Sequence, residues 1–107
     1  MNQYGITLIE WDETHSYVER AQIHELAQKA EKAGQFTVSR PRELPHTDIA
    51  GLIALGSVVH VLVATGADQF ESHGQVYTAP DHSAHLESRD ASGARTQALF
   101  DLPELYD

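Results

Sequence analysis

The chain has 107 residues, with 16 acidic and 7 basic side chains and a formal net charge of −9. Apolar residues at 41% and charged residues at 21% are ordinary for a globular protein, and the length suits one α+β domain, 1–107, with a single core. The acidic balance argues against binding along a phosphate backbone, which needs clustered Lys and Arg. With no cysteine, disulfides, thiolate metal sites and thiol catalysis are excluded.

Residues 1–12 lack a basic n-region, a long apolar stretch and a small-residue cleavage site, so a cytoplasmic setting, bacterial or phage, is expected. Residues 4–11 are short and rich in β-branched and aromatic side chains, which predicts a strand. Asp12, Thr14 and Ser16 then offer helix N-caps, with Ser16 and Glu19 at capping-box spacing. Ile23, Leu26, Ala27, Ala30 and Ala33 fall on one helical stripe with Val18 at its margin. His24, Gln28, Glu31 and Lys32 fall on the other side, and Glu25 and Lys29 form an i,i+4 pair. Gly34 is placed as a C-cap, so the pattern predicts one long helix over about 14–33.

A short strand is expected over 35–39, followed by a loop at 40–45 where Pro41 and Pro45 oppose regular structure. Thr47 or Asp48 can cap a short helix over about 48–55, ended by Gly56. Residues 57–65 carry Val58, Val59, Val61, Leu62 and Val63, the signature of a central strand buried on both faces. Residues 49–66 form an uncharged run at the lower edge of membrane-spanning length. His60 and the β-branching of its second half favour a helix–turn–strand unit instead, with no membrane contact. A meander follows, with strands over 75–79, 84–89 and 95–101 and turn residues at 90–93. Pro103 keeps the apolar–acidic tail, 102–107, out of a central strand. The expected architecture is a mixed or antiparallel sheet of five or six strands with one long and one short helix.

Seven histidines stand out: His15, His24, His46, His60, His73, His82 and His85. His73, His82 and His85 are the tightest group, and three imidazoles with an open position suit a transition metal. A strand over 75–79 holds His73 and His82 well apart, however, and surface-loop histidines give the same pattern. His85, Glu87 and Arg89 alternate onto one face of a strand, a row that suits a polar ligand or, in a sheet with one wet face, simply meets solvent. His60, alone among valines, reads as a histidine hydrogen-bonded to the core or at a sheet end, with a functional role for an imidazole whose basicity is lowered by burial as the alternative.

Nucleophile elbows and dinucleotide fingerprints are absent, and the spacing from Gly51 to Gly56-Ser57 lacks the lysine of a phosphate loop. Arg40-Pro41-Arg42 is the one basic cluster, suited to a phosphate, a partner carboxylate or a solvated loop.

Charge has an address. Residues 1–35 sum to −3, residues 36–66 to 0 and residues 67–107 to −6. The favoured reading is therefore a small acidic protein-binding module, such as an inhibitor, antitoxin, immunity protein or phage-encoded antagonist, acting on a basic partner and needing no cofactor. Asp81, Glu87, Asp90, Asp101, Glu104, Leu105 and Tyr106 are its expected contact residues. One alternative is a metal-dependent enzyme using His73, His82 and His85. Another is a homo-oligomeric structural subunit, for example of a phage particle, joined through sheet edges and the tail, which can equally fold back on an apolar edge of its own chain.

Overall fold

The computed structural model describes residues 3–28, 35–38, 40–66, 69–79 and 82–104. In chain order its elements are β1 (Gln3–Trp11), β2 (Val18–Gln28), β3 (Gln35–Val38), β4 (Arg42–Pro45), α1 (His46–Ala54), β5 (Val58–Gly66), β6 (Gln69–Ala79), β7 (His82–Arg89) and β8 (Arg95–Thr96). Seven strands follow one hydrogen-bonded path, β3-β2-β1-β5-β6-β7-β8, and β4 pairs with β2 beside it. Because β3 also pairs with β6, five of these strands close into a ring. The β1–β5 contact is parallel, from Gln3 opposite Val58 to Ile6 opposite Val61, and the other ladders are antiparallel, so the sheet is mixed.

The α+β class is observed, with more strands and fewer helices than expected. Where a long helix was expected over 14–33, residues 18–28 form β2; positions 29–34 lie outside the described residues. The helical stripe misled because β2 is covered on both faces. Ala21 and Ile23 are buried on one side and His24 on the other, which blurs the two-residue period. The cap signals also have a different use. The Asp12 carboxylate accepts hydrogen bonds from the Ser16 amide at 2.6 Å, the Tyr17 amide at 2.9 Å, the Thr14 amide at 3.1 Å and the Thr14 hydroxyl. Those bonds organise the β1–β2 hairpin loop, where His15 adopts a φ of 60°.

The loop expected at 40–45 contains β4, tolerated because Pro45 sits at the end of an edge strand. Of the third meander strand only Arg95–Thr96 pairs, and the chain then turns through Leu102. The strands expected near 35–39, 57–65, 75–79 and 84–89 are present, the third extended back to Gln69.

The uncharged run at 49–66 divides into most of α1 and all of β5, and no helix among the described residues is long and apolar enough to cross a membrane. Pro45 is the N-cap of α1, without a side-chain cap bond. At its other end Gly56 takes φ 92° and donates to the Ile53 carbonyl, while Ser57 donates to Leu52, the paired bonds of a Schellman motif.

β1 separates two layers. Ile6 lies opposite Ile23 and Val61, and these join Tyr4, Val59, Ile49 of α1 and Leu86 of β7 in the main core. Fully burying each such aliphatic side chain contributes about 1.5–3 kcal/mol. Gly5 lies opposite His24 and His60 on the other face, towards the inside of the ring.

Candidate functional site

β1 and β5 run side by side only as far as Ile6 and Val61. Beyond them, the segment 97–103 occupies the widening gap. The Ile9 amide donates to the Pro103 carbonyl at 3.0 Å, and Ile9 bridges to Glu104. Leu99 and Leu102 are buried there, so the described part of the tail packs on its own chain.

Between these segments lies a half-open cavity of 660 Å³, a volume typical of ligand sites. Leu8, Leu62, Val63, Phe70 and Leu102 supply apolar walls. Thr7 and His24 are buried in its depth, the Thr7 hydroxyl 3.1 Å from His24 Nε2, and Gln22 Nε2 donates to the same hydroxyl at 3.2 Å. Exposed His73, Gln97 and Asp101 stand at its rim. An apolar pocket with a polar base can grip an aliphatic or aromatic group and orient it through few hydrogen bonds. His24 was expected on the wet side of a helix; only the strand assignment of 18–28 turns it inward.

A second hollow, of 580 Å³, lies where β5, β6 and the 90–93 turn meet. His60 is half-buried there, with Nδ1 3.0 Å from Ser72 Oγ and Nε2 3.2 Å from Gln3 Oε1. The expected hydrogen-bonded histidine is thus observed, and desolvation holds its pKa below the ordinary value of 6.5. No sequence spacing announces this trio, because a strand register brings its members together.

The row of His85, Glu87 and Arg89 does not all meet solvent. Glu87 is fully buried, 2.6 Å from Arg89 Nε and 3.3 Å from Arg95 Nε. The Arg95 contact lies within ion-pair distance but lacks hydrogen-bond alignment, which leaves Glu87 Oε1 without a hydrogen bond. Glu87 is therefore removed from the acidic outer surface.

Among the other expected contact residues, Asp90, Asp101 and Glu104 are exposed, while Asp81, Leu105 and Tyr106 lie outside the described residues. Asp90 holds the 90–94 turn. Its side-chain bond from Ser92, then the Ala94 amide, keep its carboxyl below the usual carboxylate range, against a smaller opposing effect of desolvation. Of the three histidines expected to group, His73 lies in mid-strand on β6 and His85 stacks on Tyr17 at 4.3 Å, with His46 at 5.1 Å from the same ring. The His82 side chain lies outside the described residues, and among those described no three His, Asp or Glu side chains form a metal-holding group.

Comparison with protein-family models, with curated proteins and with solved structures finds no match to this chain.

Proposed function

We propose that the chain is an acidic protein-binding module that receives an apolar anchor of a basic partner in the 660 Å³ cavity. The observation that carries this reading is the apolar cavity with exposed Asp101 among its lining residues. Charge strengthens it, since the two arginines of residues 67–107 both face buried Glu87. Among the described residues neither arginine is ion-paired to the exposed carboxylates Glu71, Asp90, Asp101 and Glu104, so their charge is left to act on a basic partner. A partner with an aliphatic or aromatic side chain flanked by Lys or Arg fits both features, the anchor supplying affinity and the charges supplying on-rate.

The test is a titration with a basic peptide carrying one central Phe or Leu, at low and high salt. Binding should weaken with salt, weaken in Asp101→Lys, and disappear in Ala64→Trp, which fills the mouth from an exposed lining position. Affinity indifferent to salt and to both substitutions would refute the reading. Binding of a neutral apolar compound in preference to the peptide would replace the protein partner with a small molecule.

A further inference from the structure

The second hollow holds an arrangement that partner binding does not use. On β6 the pairing shifts register between His60 opposite Gln75 and Leu62 opposite Ser72, so β6 carries a bulge at residues 73–74. Gly74 takes φ 127° there, and a Cβ on it would lie 2.6 Å from the Arg89 carbonyl oxygen. Only glycine fits. Bulges of this kind re-aim side chains beside them and recur next to active sites; this one accompanies Ser72 Oγ lying 3.0 Å from His60 Nδ1.

The hydrogen-bond directions are consistent with an activated hydroxyl. Gln3 Oε1 can only accept, so at 3.2 Å it fixes the proton on His60 Nε2. Nδ1 then carries the lone pair and must accept from Ser72. The Ser72 hydroxyl has a second acceptor, the Gly74 carbonyl, but at the longer distance of 3.3 Å. A hydroxyl, an imidazole and an oxygen that sets the imidazole tautomer, in line, form the nucleophile–base–orienter relation of covalent catalysis. Arg89 also lines the hollow, and Glu87 Oε2 takes its Nε donor, leaving further guanidinium N–H groups for a developing oxyanion.

We propose that Ser72 is a nucleophile towards small carboxylic esters, with His60 as its general base and Gln3 as the residue that positions that base. Ser72 Oγ bonds to the ester carbonyl carbon as its proton passes to His60 Nδ1. Collapse of the tetrahedral adduct breaks the bond to the alkoxy oxygen, which leaves as an alcohol with the proton from Nδ1. Water, deprotonated by the same nitrogen, then cleaves the acyl-serine to acid and free hydroxyl. The lowered basicity of His60 keeps the ring neutral, as a base must be, down to mildly acidic pH.

The experiment exposes the intact chain to a fluorophosphonate probe, locates the adduct by peptide mass spectrometry and follows p-nitrophenyl acetate hydrolysis in parallel. Ser72 should label about 10²-fold faster than exposed Ser92, which lines the same hollow without a histidine bonded to it and serves as the internal control. His60→Gln should remove that advantage, and Ser72→Ala should abolish ester turnover. Gln3→Glu should move the midpoint of the pH–rate profile upward, because a carboxylate at Nε2 stabilises the imidazolium, a response that a purely structural Gln3 would not give. Labelling of Ser72 no faster than Ser92 in the wild-type chain overturns the proposal, whatever the variants do.

Discussion

Gly5→Ala probes the tightest approach inside the ring. A Cβ at Gly5 would lie 2.2 Å from Leu62 Cδ1, 2.5 Å from Leu62 Cγ and 3.3 Å from Leu26 Cδ1. Carbon atoms pack at about 3.5–4.0 Å, so the Leu62 side chain must retreat by roughly 1.5 Å. Leu62 is 1% exposed, but it borders the apolar cavity and has room on that side. The expected cost is that of ordinary overpacking, about 1–3 kcal/mol, or a fall in Tm of roughly 4–12 °C for a chain of this size. Because the strain has one main partner, Leu62→Ala should relieve it. That substitution alone should cost about 2–4 kcal/mol, yet the double variant should be more stable than the sum of the two by about 1 kcal/mol or more. Urea unfolding followed by the fluorescence of Trp11, the single tryptophan, measures all four chains; its ring lies 5.5 Å from that of Phe100 in the folded state. Additivity within about 0.5 kcal/mol, or a neutral Gly5→Ala, would refute the packing argument.

Four further substitutions have expected outcomes. Arg89→Met should cost about 2–4 kcal/mol, since it strips the close partner from a fully buried carboxylate while its own 35% exposure softens the loss. Arg95→Met, at a site 68% exposed with a 3.3 Å contact, should cost less than about 1 kcal/mol; equal effects in denaturant melts would contradict the assigned geometry. Gly74→Ala should destabilise by about 2 kcal/mol or more, through its left-handed φ and the clash with the Arg89 carbonyl, and thermal melting checks it. At Asp12, desolvation favours the neutral acid, but the bonds from Thr14, Tyr17 and Ser16 outweigh it and hold the carboxyl well below 3.8. Its contribution is thus complete above pH 3.8 and fades as pH falls towards the folded value, so the stability gap between wild type and Asp12→Asn should shrink over that acid range. A gap that does not change with pH would show that charge on Asp12 is irrelevant to the loop.

Local chemistry was legible where one residue decides it. Gly56 ends α1, Val58 to Val63 lie in a central strand, and Asp90 organises a turn, each for a reason written in the residue type. β2 was not legible, because a strand with cover on both faces loses its alternation and Asp12 to Ser16 cap a hairpin loop with the groups that cap helices. The cavity was hidden for the same reason: His24 points into it only once β2 pairs with β1. The Ser72–His60 contact depends on a single bulge on β6, a register detail that composition and spacing do not encode. Glu87 was misplaced because alternation assigns side chains to faces but does not say which face is covered.

Ring closure also dictates an order of events during folding. β1 can pair with β2 across a short hairpin, yet its other edge waits for β5 and then for Glu104 beside Ile9. β3, likewise, is held on its second side only when β6 arrives. Until most of the chain is available, two strand edges therefore stay open, and the contacts that close them are distant in sequence, which slows folding. A partly synthesised or partly refolded molecule offers those edges to its neighbours as pairing templates. The same closure that protects the finished protein makes its immature forms the dangerous ones.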